Sequence, residues 1–271
     1  MYTVQLLTGT YLPVPGLGTF QNTNGNDLEN AVRHALDVGY RHIDTVATHD
    51  NEQRVGKAIA ASGIPREDIF ITTKLGRSDQ QSGDIEGALE ESLKRLDMDY
   101  VDLYLTRWPG EDGCLEIWKK MQTLHHDGKA RAIGVSNFLQ EHLEILLPEI
   151  EVVPAVNQVD HNPYSQKRTL RTFCQQREIT FEASAPLMQG RFVQEPLFAA
   201  LAKEYNKTPA QILLRWHLEH RVALVPTSVN EKHITENAQI FDFDLSEADI
   251  AAIDHLDRDH RIEPNPPDCE V

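Results

Sequence analysis

The sequence predicts a single (β/α)8 TIM barrel of the α/β class with an N-terminal β-hairpin, and three observations carry that prediction. Short apolar strands alternate with longer amphipathic helices eight times along the chain. Eight strand–helix pairs in unbroken succession imply parallel strands with right-handed crossovers, and eight is the number that closes a barrel. The 271 residues suit one such barrel and are ample to bury its core. A doubly wound open sheet, the main competitor, needs fewer repeats, and no Gly-x-Gly-x-x-Gly run follows the first strand.

Taken in order, the elements open with a hairpin over 3–7 and 11–14, turned at Thr8-Gly9. A strand near 17–20 leads into 28–38, where apolar residues recur at helical spacing. Strand 41–45 pairs with helix 53–61, strand 70–74 with helix 85–96, strand 101–105 with helix 115–125, and strand 130–135 with helix 141–147. In the second half, strand 155–159 precedes helix 167–176, and strand 180–184 precedes two helices over 197–205 and 210–220. Strand 223–226 with helix 232–240 closes the series. No linker, low-complexity tract or charge block interrupts it, so residues 1–271 read as one domain. The tail after Asp257, with Glu263-Pro264-Asn265-Pro266-Pro267, reads as extended coil lying on the barrel.

Composition narrows the function classes. A chain that is 40% hydrophobic and 25% charged is an ordinary soluble globular protein, and no stretch approaches the roughly 18 apolar residues of a membrane span. The first 26 residues carry no charge, but they lack a basic n-region and are interrupted by Thr, Gly, Pro and Gln, so they read as the first strands rather than a targeting segment. A net charge of −16 opposes binding to nucleic acid or an anionic membrane, while a local basic pocket could still hold a small anion. Cys114, Cys174 and Cys269 are widely spaced, odd in number and form no Cys-x-x-Cys pair, which points to neither a disulfide framework nor a zinc site and fits a reduced cytoplasmic setting. His125-His126 and the scattered remaining histidines lack metal-ligand spacing. With no coiled-coil repeat or long apolar stripe, a monomer acting on a small-molecule substrate is expected.

In a barrel of this kind the active site stands at the carboxyl ends of the strands. The residues closing the predicted strands are Thr19, Phe20, Asp44, Thr45, Lys74, Thr106, Arg107, Ser136, Asn137, Gln158, Ser184, Thr227 and Ser228, mostly polar after apolar strands. Strand ends in any fold meet polar loops. Asp44 and Lys74 place opposite charges near the barrel axis, either as a structural ion pair or as a catalytic one.

The run Gly39-Tyr40-Arg41-His42-Ile43-Asp44-Thr45, with Asn51-Glu52 after it, resembles the signature of the aldo-keto reductase family around its second strand. Similar to that family in order and spacing are Ile64-Pro65-Arg66-Glu67, Ile71-Thr72-Thr73-Lys74, Glu91-Ser92-Leu93-Lys94-Arg95-Leu96 and Tyr100-Val101-Asp102-Leu103-Tyr104-Leu105 leading to Trp108-Pro109. Gly134-Val135-Ser136-Asn137-Phe138, Asn157-Gln158 and Glu236-Asn237 complete a likeness running from Leu17 to Pro264.

The resemblance implies reduction of aldehydes and ketones by hydride from NADPH, with a tyrosine as proton donor, a lysine–aspartate pair that tunes it and a histidine that orients the substrate. Carried over by motif, the aspartate is Asp44 and the lysine Lys74, whereas His49 stands at the tyrosine position and Arg107 at the histidine position. Ser136, Asn137 and Gln158 match the residues that hold the nicotinamide carboxamide, and Ser184 stands where an aromatic stacks on the ring. Gly190 opens the loop that wraps the pyrophosphate; Arg191 beside it reads as a phosphate contact or a surface arginine. Ser228, Glu236 and Asn237 match the far end of the cofactor site, but Thr227 and His233 stand where a lysine and an arginine clamp the 2′-phosphate, so NADP(H) preference should weaken toward NAD(H), or cofactor binding become weak or absent. Gly76 occupies the position of a substrate-pocket indole, and Trp108 serves the barrel rim as core or pocket wall.

Three readings follow. In a divergent oxidoreductase His49 donates the proton, since imidazole titrates near neutrality; its alternative is a solvated loop histidine. In a non-redox lyase, isomerase or dehydratase, His49 moves a proton while Arg107 and Lys74 hold an anion; the alternative for Arg107 is an ion pair with Asp44 or a nearby acid. The third reading is a catalytically silent binding protein. The departures cluster at the barrel mouth and spare the scaffold, which favours a repurposed enzyme.

Overall fold

The computed structural model describes residues 2–19, 25–47, 51–109 and 115–259. Strands β1 (Tyr2–Gln5) and β2 (Tyr11–Val14) pair antiparallel, with Tyr2 opposite Val14. Gly9, at φ +82°, supplies the left-handed turn residue that the Thr8-Gly9 pair predicts. Leu12 and Val14 of β2 are buried where this hairpin packs on the barrel beside the second barrel strand.

Eight parallel strands follow: β3 (Leu17–Gly18), β4 (His42–Asp44), β5 (Phe70–Lys74), β6 (Val101–Thr106), β7 (Ala130–Ser136), β8 (Val156–Val159), β9 (Thr180–Ala183) and β10 (Ala223–Leu224), each hydrogen-bonded to its sequence neighbours. The seam closes because Gly18 bridges Thr227 in parallel, with Gly16 N donating to Leu224 O and Gly18 N to Pro226 O, both at 3.0 Å. The first and last strands are shorter than the predicted 17–20 and 223–226, and these seam bonds carry the pairing past them; Phe20 lies outside the described residues. Glycine is needed at the seam. A Cβ on Gly18 would stand 2.6 Å from Thr227 Oγ1, and one on Gly16 would stand 2.4 Å from His42 Nδ1.

Around the strands run α1 (Gly25–Asp37), α2 (Asn51–Ser62), α3 (Arg77–Ser82), α4 (Ile85–Leu96), α5 (Leu115–His126), α6 (Gln140–Leu146), α7 (Arg168–Gln175), α8 (Pro196–Tyr205), α9 (Pro209–Glu219), α10 (Glu231–Ala238) and α11 (Glu247–Asp254). Their sequences explain their ends. The Asp84 carboxylate caps α4 by accepting from Gly87 N at 3.0 Å, Asp97 closes it in the left-handed region, and Ile85, Leu89, Leu93 and Leu96 form its buried stripe. Thr208 and Gln211 form a reciprocal capping box on α9, with Pro209 at the first helical position. No helix among the described residues is long and apolar enough to cross a membrane.

Helix α2 crosses the end of α4 at Gly56, where a Cβ would stand 2.2 Å from Leu96 O and 2.7 Å from Leu96 C. Both contacts are backbone, so neither neighbour can rotate away. Gly56→Ala is expected to destabilise the fold by about 1–3 kcal/mol despite alanine's better helix propensity, read as a lowered urea midpoint at unchanged slope.

Candidate active site

Strand register decides which side chains enter the barrel. Residues paired across parallel strands point to the same side, so the pairs Asp44–Thr72, Thr72–Leu103, Leu105–Gly134, Ser136–Gln158 and Gln158–Glu182 trace one inner face. Alternation places His42 with Asp44 on β4, Lys74 with Thr72 on β5, and Arg107, just beyond β6, with Leu103 and Leu105. Asp44 and Lys74 thus reach the lumen as the sequence predicts.

There Lys74 Nζ donates to Asp44 Oδ1 at 2.5 Å, and both side chains are about nine-tenths buried. Gln158 Nε2 donates across the barrel to Asp44 Oδ2 at 2.8 Å and also to Glu182 Oε2 at 2.7 Å. A continuous polar line, Lys74–Asp44–Gln158–Glu182, therefore spans the lumen near its carboxyl end. The Asp44 carboxylate, paired with Lys74, faces a donor, so the Gln158 amide is oriented with Nε2 toward Asp44 and Glu182 and Oε1 left to accept. Below this line His42 is fully buried, its Nε2 2.9 Å from Thr72 Oγ1 and its ring edge-on to Phe70. Burial pulls His42 down to about 4, with Asp44 opposing and Lys74 reinforcing the shift.

Other strand-end residues hold the mouth together. Thr19 Oγ1 donates to Thr45 Oγ1, and Thr106 and Gln80 fasten α3 to the end of β6, with Gln80 Nε2 donating to Trp108 O at 2.9 Å. Asn137, in the left-handed region at φ +63°, donates through Nδ2 to Arg107 O and to Ser136 Oγ. Arg107 and Trp108 are partly buried at the rim. Gly76 is the residue before α3, and a side chain there would meet the Asp79 carboxylate at 2.6 Å. His49 lies outside the described residues.

Beside this mouth opens a cleft of about 810 Å³. Ser184, Gly190, Ser228, His233, Glu236 and Asn237, all expected at the cofactor, share its lining with Thr227. Ser184 ties it to the polar line, since its N–H donates to Val159 O and it stands two residues beyond Glu182. Met188, Gln189 and Gly190 all have φ near +50° to +81°, a run of left-handed backbone that shapes the cleft wall. Arg191 is exposed and outside the lining, and among the described residues no lysine or arginine lines the cleft. The volume would accommodate a dinucleotide; Ser184 stands at the strand end of the lining and Ser228, His233, Glu236 and Asn237 at its other side, while Ser136 and Gln158 lie on the neighbouring strands outside the lining.

The aldo/keto reductase family model matches residues 15–258, spanning all eight strands and this cleft. The chain belongs to the aldo/keto reductase family. It is 46% identical over 264 residues to the glyoxal reductase of Bacillus subtilis strain 168, covering 97% of this chain and 96% of that protein. Among solved structures it is similar to an aldo-keto reductase from a Medee basin deep-sea metagenome library, at 39% identity and TM-score 0.94 over 100% of both chains. It is likewise similar to a Bombyx mori aldo-keto reductase in complex with NADP, at 34% identity and TM-score 0.91, covering 97% of this chain and 95% of that one. As an aldo-keto reductase the chain carries a buried lumen carboxylate that its sequence did not single out, Glu182. Its signal was a carboxylate inside an otherwise apolar strand, Thr180-Phe181-Glu182-Ala183, readable as inward only once Glu182 is set in register with Gln158.

Proposed function

We propose that this aldo-keto reductase is a divergent oxidoreductase that uses a nicotinamide cofactor on small carbonyl or hydroxy compounds, with His49 and Arg107 in place of the family's tyrosine and histidine. The observation that carries this reading is the buried Lys74–Asp44 pair, which meets at the barrel mouth beside the cleft lined by Ser184, Gly190, Ser228, His233, Glu236 and Asn237. The cofactor, when bound, supplies the hydride. Gln158 Oε1, Ser136 and Asn137 hold its carboxamide. His49 gives its proton to the carbonyl oxygen as an imidazole that titrates near neutrality; Lys74 would lower its pKa and Asp44 would raise it. Arg107 offers forked N–H donors to the same oxygen or to a neighbouring one on the substrate. The small dicarbonyl named for the Bacillus subtilis relative is the first substrate class to assay.

Since no lysine or arginine among the described residues lines the cleft, NADH should bind within about tenfold of NADPH, where a clamped 2′-phosphate would separate them further. Titration of tryptophan fluorescence with each dinucleotide measures this. Absence of binding by either would sink the redox reading, and turnover without nicotinamide would replace it with a lyase or isomerase. His49→Ala is expected to slow turnover by about 10²–10⁴-fold with dinucleotide affinity unchanged.

A further inference from the structure

Glu182 is fully buried on the inner face of β9. Its Oε2 accepts from Gln158 Nε2, while its Oε1, also buried, accepts from nothing among the described residues. None of the described lysines, arginines or histidines lies within ion-pair distance of it, whereas Asp44, Glu52 and Asp102, also buried, each have such a partner and buried Asp160 accepts from Asn162 Nδ2. Desolvation pushes its pKa up to about 7, and Asp44 across the lumen adds to that push against Gln158 and Lys74. A buried carboxylate with half its acceptor capacity unfilled and no counter-cation works against folding, and a cation arriving beside it would offset that cost. Asp44 cannot play that part, because Lys74 already neutralises it.

The position of Glu182 says which cation. It is one hydrogen bond from the Gln158 amide, and Ser184, two residues further along β9, lines the cofactor cleft. We propose that Glu182 is the counter-charge of the oxidised nicotinamide ring, a residue that tightens the hold on the cationic oxidised cofactor relative to the neutral reduced one. The inference rests on the cofactor reading above. Oxidised and reduced dinucleotides share every phosphate, sugar and amide and differ by one positive charge on the ring. Their affinity ratio therefore isolates the field at the ring from every other contact. Gln158, donating to both carboxylates, holds Glu182 in place beneath the strand ends.

The test is the dissociation constants of NAD⁺ and NADH, measured by calorimetry on wild type and on Glu182→Gln at pH 6 and pH 9. The amide keeps the shape of the side chain and removes the charge. In the variant at pH 9 the oxidised form should bind about tenfold more weakly, with the reduced form within about twofold of wild type. In wild type the preference should move toward NAD⁺ between pH 6 and pH 9, and the movement should be clearly smaller in the variant, where only the remaining titrating groups, His49 among them, contribute. The charged groups facing Glu182 among the described residues are Asp44 on β4 and Lys74 on β5, both present in wild type and variant alike. An unchanged ratio in a variant shown by circular dichroism to be folded would overturn the proposal, and so would a pH-independent ratio in wild type. Failure of wild type to bind either form would instead remove the cofactor reading, and this inference with it.

Discussion

Asp44→Leu is expected to lower folding stability by about 3–5 kcal/mol and to abolish turnover, the stability loss read by urea denaturation. The substitution strands the Lys74 ammonium in the lumen with, among the described residues, only Thr45 O, 3.4 Å away, to accept from it, and takes one of two acceptors from the Gln158 amide. Removing both charges separates the two effects. In the double variant Asp44→Leu/Lys74→Met no buried charge is orphaned, so most of the stability should return while turnover stays lost. Recovery of turnover in the double variant would show that the pair is scaffolding alone.

Stability should fall on mild acidification, and by an amount that identified side chains set. His42 and His217 are buried neutral, each lowered to about 4, chiefly by desolvation. A histidine whose folded pKa lies below its unfolded value near 6.5 contributes stability that is present above 6.5 and lost as pH falls toward 4. Between pH 7 and pH 5 each of the two should withdraw about 2 kcal/mol. His161, also lowered by burial and stacked on Trp216, acts in the same sense. Glu182 opposes them: its folded pKa, raised to about 7, gives a contribution that is full below the ordinary carboxylate range and lost as pH rises through 7, so acidification to pH 5 returns about 2 kcal/mol. The net loss over this window should therefore be a few kcal/mol, and Glu182→Gln should steepen it. Denaturation midpoints at pH 7, 6 and 5 for both proteins decide it. A flat wild-type profile would mean that the histidines are hydrated in the folded state.

The barrel was legible because burial imposes a period on the sequence, and the elements that escaped are those with little burial. Helix α3, Arg77-Ser78-Asp79-Gln80-Gln81-Ser82, buries no residue and is held by Gln80 on the Trp108 carbonyl, a partner 28 positions away. Helix α11 buries only Ile253, though Ser246 with Asp249 three residues on is a capping signal that could have marked its start. At the site, motif and parity together placed Asp44 and Lys74 in the lumen, because a charge on the inner face of a strand has few alternatives. Glu182 obeys the same parity, but its strand has no flanking polar motif, and its meaning depends on Gln158, 24 residues earlier and one strand over. The cleft residues come from the loops after β9 and β10, from the first turn of α9 and from the body of α10. Motif resemblance named Ser184, Gly190, Ser228, His233, Glu236 and Asn237 among them, but their approach to one another is set by the closure of the barrel, which no local pattern encodes.

That closure has a consequence for biosynthesis. The seam joins Gly16 and Gly18 to Leu224 and Pro226, partners more than 200 residues apart, and no other strand among the described residues supplies the missing edge. A chain emerging from the ribosome can pair β3 through β9 in the order they appear, yet its first edge stays open until nearly the last helices have been made. For most of synthesis the nascent protein is a curled open sheet with a bare strand on one side, the state in which edge pairing with another molecule is easiest. Truncations that stop short of residue 227 should therefore aggregate rather than yield a smaller folded barrel, and a holdase that covers the β3 edge would protect this chain more than one that binds its helices.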